Sequence, residues 1–122
     1  ELVRPGGRIV LCDHLTSPDP AAARRHQDLE VARDRTHTRN LTGGELVDLF
    51  AAAGLEGIRL VEEGFELDFD EWFDRGTPGE SKASVRDVLL RGVDARGFKV
   101  APGRGASIRI ECVRAIVVGR RG

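Results

Sequence analysis

The stretch from Pro5 to His14, Pro-Gly-Gly-Arg-Ile-Val-Leu-Cys-Asp-His, constrains the fold more than any other part of the chain. Pro5-Gly6-Gly7 is a turn, and it feeds Arg8–Cys12, which carries four consecutive apolar residues from Ile9 to Cys12. These residues do not alternate with polar ones, which predicts a strand covered on both faces, as in the middle of an α/β sheet. Ligands in such sheets sit just past the carboxyl ends of the strands. Asp13 and His14 are therefore the first candidates for chemistry.

Beyond that strand, Asp19 and Pro20 are an N-cap and a first helical residue, predicting a helix from Ala21 to about Arg35. Its apolar stripe is thin, Ala22, Leu29 and Ala32, so it should lie over the surface. Seven polar residues follow, Asp34-Arg35-Thr36-His37-Thr38-Arg39-Asn40. Thr42 and Glu45 then form a capping-box pattern ahead of Leu46, Leu49, Phe50 and Ala53, with Gly54 as the left-handed stop. Ile58–Val61 reads as a second strand, resumed at Phe65 and Leu67 beyond Gly64. Asp68 opens a short helix through Phe73, whose aromatic residues Phe69, Trp72 and Phe73 are assigned to core packing. Val85, Val88, Leu89 and Val93 mark a further helix from Ser81 to near Gly97. Phe98–Val100, a turn at Pro102-Gly103-Arg104-Gly105 and the strand Ile108–Val118 complete the chain. That last strand should be half-exposed at its start and buried at its end.

Composition narrows the function. A length of 122 residues fits one domain, 1–122, and a net charge of −1 with scattered arginines lacks the basic stripe of a nucleic-acid binder. No apolar run approaches the roughly 20 residues of a membrane span. Cys12 and Cys112 both lie in apolar strands, where thiols act as small buried hydrophobes. They suit neither a disulfide framework nor a zinc site, which makes a reducing, cytoplasmic setting the expectation.

The three histidines, His14, His26 and His37, have no metal-ligand spacing, so no metal is expected. Gly103-x-Gly105 leads into a strand and opens no helix, which makes it a hairpin turn and not a phosphate loop. Asp13 and His14, joined in space by Asp34 or His37, could form an acid/base group facing a substrate. The other reading has Asp13 and His37 bonded to local backbone. Both stay open on sequence grounds.

The segments "VRPGGRIVLCDHL", "RDRTHTRNLT", "GGELVDLFAAAGL" and "LDFDEWFDRGTP" resemble, in order, the C-terminal half of class I S-adenosylmethionine-dependent methyltransferases, closest to the ubiquinone/menaquinone-biosynthesis group. The resemblance implies an α/β fold, the C-terminal part of a Rossmann-like methyltransferase. It would have a three-stranded sheet of family strands five, seven and six, flanking helices and an inserted helical segment. In the family order 3-2-1-4-5-7-6, Arg8–Cys12 would be strand five, Ile58–Val61 strand six and Ile108–Val118 strand seven, lying between them.

The family's Gly-rich turn and the acidic residue that hold the cofactor have no counterpart here. The chain begins at Glu1-Leu2-Val3 without an initiator Met. The resemblance thus implies the half of an enzyme that shapes the pocket for a small-molecule methyl acceptor. His14 and His37 would be catalytic, and Asp13 and Asp34 substrate-binding. S-adenosylmethionine would serve the parent enzyme, with none held by this chain alone, which would by itself be inactive. The expected partner is the missing N-terminal half or a second copy, with no nucleic acid or membrane. The alternative is a free-standing, non-catalytic binding or dimerisation module derived from that fold. With its outer edge unpaired, Arg8–Cys12 would template a homodimer or higher assembly.

Overall fold

A computed structural model describes residues 3–91, 94–95, 98–102 and 108–122. In chain order it runs β1 (Arg8–His14), α1 (Pro20–Arg33), α2 (Gly43–Ala52), β2 (Leu55–Asp68), α3 (Phe69–Asp74), α4 (Lys82–Leu90), β3 (Asp94–Ala95), β4 (Phe98–Pro102) and β5 (Ile108–Arg121). The turn at residues 102–105 lies almost wholly outside the described residues, as do Val93 and Gly97. Asp94–Ala95 is strand, so α4 ends earlier than its apolar spacing predicts.

The sheet is organised around β5. β2 pairs antiparallel with β5 from Arg109 to Arg121, broken only by an irregularity between Glu56 and Arg59. A strand has two edges, so β1 and β4 must share the other one end to end. β4 pairs with Ile108–Cys112 and β1 with Arg114–Arg120, both antiparallel. β5 thus lies between β1 and β2, and the sheet has five strands where three were expected, because β3 and β4 extend it beside the start of β5. β2 is one continuous strand through Gly64, which faces Val113 in register.

Side chains of a strand alternate between faces, and the two faces are covered over different halves. Ile108, Ile110 and Cys112 point toward α1, α3 and α4, where they are buried with Ala22, Leu29, Phe69, Trp72, Phe73, Val85 and Leu89. Ala115 points to the opposite face, against Leu46 of α2 and Leu15. Burial along β5 therefore changes parity between Cys112 and Ala115. This replaces the expected change from half-exposed to buried.

On the first face the helical cover stops at one transverse row, His14–Arg114–Glu63, set by strand register. The next two rows, Cys12–Ile116–Val61 and Val10–Val118–Arg59, form a bare shelf, with Val10 and Val61 each 62% exposed. Two expectations for β1 are thereby corrected. The strand is not covered on both faces, and Cys12 is exposed. Its apolar run has β5 on one edge but no helix over this face among the described residues. Cys112, in contrast, is buried, and loss of solvation pushes its thiol up to about 12.

The helix caps form largely as the residues dictate. Asp19 accepts from the Ala22 amide, Thr42 from that of Glu45, Asp68 from those of Asp70 and Glu71, and Ser81 from that of Ser84. Glu45 does not close the capping box; its carboxylate lies 2.8 Å from Arg39. Gly54 takes φ +75°, the left-handed stop that its position after α2 requires.

Candidate functional site

At the border between the covered half and the bare shelf is a hollow of about 520 Å³, lined by Asp13, His14, Glu30, Arg33, His37 and Asn40 among others. Its volume falls within the roughly 300–1,000 Å³ usual for small-molecule sites. The floor is the sheet row ending at His14. Phe65, one row further under the helices, sets its ring 4.8 Å from that of His14 at a 55° tilt and lies 5.1 Å from the Arg114 guanidinium carbon. Arg114 is paired in turn with Glu63 at 2.5 Å.

The wall comes from α1. Its inward face carries Ala22, His26, Leu29 and Glu30, so two polar residues occupy core positions. Glu30 is only 5% exposed. One carboxylate oxygen lies 3.5 Å from His26 Nε2; the other lies 3.6 Å from Arg33 and 3.9 Å from His37 Nδ1. Burial pushes its pKa up, but the His26 hydrogen bond and the charges of His26, His37 and Arg33 together outweigh this and hold it below the ordinary value. His26 is fixed on its other side, with Nδ1 3.0 Å from the Thr16 hydroxyl.

His37 reaches this cluster because the chain reverses after α1. The Asp34 carboxylate accepts from both the amide and the hydroxyl of Thr36, and the His37 amide donates to the Asp34 carbonyl. Asp34 therefore builds the turn and does not line the hollow. His37 does line it, and its Nε2 is buried without a hydrogen-bond partner. His14 has its pKa lowered by burial, against the opposing charges of Glu30 and Asp13, which favours the neutral ring. Asp13 accepts the amide hydrogen of His14.

Three of the four residues singled out from sequence, Asp13, His14 and His37, are thus brought together, from the end of β1 and the loop after α1. Glu30, Arg33, Asn40, Arg75 and Arg114 were missed. A signal existed for Glu30: with His26 it falls on the same i, i+4 face as Ala22 and Leu29. Arg114 had none, since its opposition to His14 exists only through strand register.

No metal-holding group of His, Cys, Asp or Glu occurs among the described residues, and no helix there is long and apolar enough to cross a membrane. The glycine pair that opens a helix, Gly43-Gly44, faces the Leu60 side chain, whose Cδ1 would lie 3.6 Å from a Cβ on Gly43. That pair serves packing of α2 on β2, and no described glycine turn links a strand to a helix start.

No family model matches the sequence. The uncharacterized protein YafE of Escherichia coli K12 is 31% identical over 74 residues, which is 61% of this chain and 36% of YafE. YcgJ of Bacillus subtilis superposes with a TM-score of 0.82 at 24% identity, over 99% of this chain and 53% of that one. A candidate methyltransferase of Bacillus halodurans superposes with a TM-score of 0.70 at 19% identity, over 99% of this chain and 58% of that one. The fold is an α/β fold that both solved proteins share over nearly the whole of this chain. The chain spans about a third of YafE and little more than half of the two solved proteins.

Proposed function

We propose that this chain is the substrate-side portion of an S-adenosylmethionine-dependent methyltransferase acting on a small molecule, with the cofactor held by another part of the enzyme. The observation that carries the reading is the meeting of His14, Asp13 and His37 in one hollow, on a fold shared with a candidate methyltransferase. The bare shelf beside the hollow supports it, since apolar sheet surface adjoining a site suits a covering element. In this reading α1 and the turn after it close over the acceptor, and the hollow orients it.

His14 and His37 take up the acceptor's proton. Burial lowers the pKa of His14 and so favours its neutral ring, the form that can accept a proton. Replacing either histidine by alanine in the longer enzyme should lower turnover per folded molecule by about 100-fold or more, with cofactor affinity nearly unchanged. The dependence on His14 should fade as pH falls through its lowered pKa. A large stability loss with full activity per folded molecule would assign these rings to the fold instead.

A second reading, a non-catalytic binding or dimerisation module, is favoured by one specific observation. Among the described residues β1 pairs only with β5, so its outer edge is open beside exposed Val10. The chain should accordingly form a dimer or higher assembly through β1, and Val10→Lys should shift it toward monomer. Light scattering that gives a clean monomer for the unmodified chain at high concentration would rule this out.

A further inference from the structure

Two buried polar atoms without a hydrogen-bond partner, Arg114 Nε and His37 Nε2, belong to residues that line the same hollow. A buried polar atom left unpaired is costly, so these two side chains are where a polar ligand entering the hollow would gain most. They differ in what they ask for. Arg114 Nε–H can only donate, whereas an imidazole nitrogen can accept from a hydroxyl.

The charges of the lining sharpen the request. Arg33, Arg75 and Arg114 face Asp13 and Glu30, leaving one positive charge in excess while the histidines are neutral. Arg33 is held by Glu30 and by the Trp72 carbonyl at 2.8 Å. Glu63, outside the lining, holds Arg114 through Nη2 and leaves Nε aside. Arg75 donates Nε to the Glu71 carbonyl and has no carboxylate partner among the described residues. Phe65 and Leu67 add apolar surface to the same lining.

We infer that the hollow takes a small hydroxylated carboxylic acid, its carboxylate against Arg114 and Arg75 and its hydroxyl at His37. This rests on the methyl-acceptor reading for what becomes of the hydroxyl, but the binding stands on its own and needs no methyl transfer. Phe65 and Leu67 offer apolar contact to the acid's carbon skeleton between the two polar ends.

The chain itself can be titrated with 3-hydroxybenzoate and with 3-hydroxybenzamide, an analogue of similar size without the charge, while amide and imidazole NMR signals are followed. The acid should bind about tenfold or more tightly than the amide, with shifts at His14, His37 and Arg114. Arg114→Met should remove most of the preference. Arg114→Lys, which keeps the charge near Glu63 but lacks the Nε donor, should weaken the acid several-fold with the melting temperature unchanged. His37→Ala should abolish the advantage of 3-hydroxybenzoate over benzoate. Equal affinity for acid and amide, no binding of either at millimolar concentration, shifts confined to another surface, or an acid preference that survives Arg114→Lys and Arg75→Met would each overturn the assignment. Failure of methyl transfer with binding intact would instead count against the enzymatic reading.

Discussion

Glu30→Ala should lower the unfolding free energy by about 3 kcal/mol, the lower part of the range for breaking a buried charge cluster. Glu30 is 5% exposed, and its carboxylate faces His26, Arg33 and His37 together. Removing it leaves three nitrogen-bearing side chains around a void, though Arg33 and His37 partly reach water and so soften the loss. The pH dependence identifies the carboxylate as the cause. Its folded pKa lies below the ordinary value of 4.5, so its stabilisation is fully present above pH 4.5 and is lost as pH falls through the lowered folded value. Glu30→Gln has no such titration. The gap in melting temperature between Glu30→Gln and the unmodified chain should narrow steadily below pH 4.5. A gap that stays constant down to pH 3 would show that charge has no part in the effect.

Trp72→Ala should cost about 3–5 kcal/mol. The indole is 3% exposed and packs in the cluster with Phe69 and Phe73. The guanidinium of Arg33 lies over its ring at 5.3 Å, and Arg33 Nε donates to its carbonyl. The substitution therefore opens a core cavity and loosens the join between α1 and α3, two walls of the hollow. Leu49→Ala is the control. Leu49 sits in the apolar stripe of α2 yet is 55% exposed, and its loss should stay within about 0.5 kcal/mol. Denaturant unfolding that ranks the two alike would refute the assignment of Trp72 to the core.

The Leu49 case shows where pattern reading loses contact with the molecule. Leu46, Leu49 and Phe50 are equally apolar and equally well spaced, yet only Leu46 and Phe50 are buried. A periodic stripe states which residues could face a sheet; the width of sheet available decides which do. The same holds for β1. Ile9 to Cys12 predict a strand and the strand forms, but its cover depends on what lies above it. At the hollow, Asp13 and His14 follow from position, since they end a strand of an α/β sheet. Asp34 was drawn in by its neighbourhood to His37, and its short side chain instead satisfies Thr36.

What the amino-acid order determined by itself is local. Caps at Asp19, Thr42, Asp68 and Ser81, the stop at Gly54 and the alternation of β5 depend on hydrogen bonds and dihedral preferences spanning a few residues. Only the tertiary structure decided the long strand register and the parity change at Cys112–Ala115, because these arise from pairing between segments up to about a hundred residues apart. That register sets Arg114 opposite both His14 and Glu63, and the packing of α1 turns Glu30 inward to meet His37. The hollow is made of such long-range coincidences. Its residues are ordinary in the sequence and become a site only where the helical layer over the sheet ends.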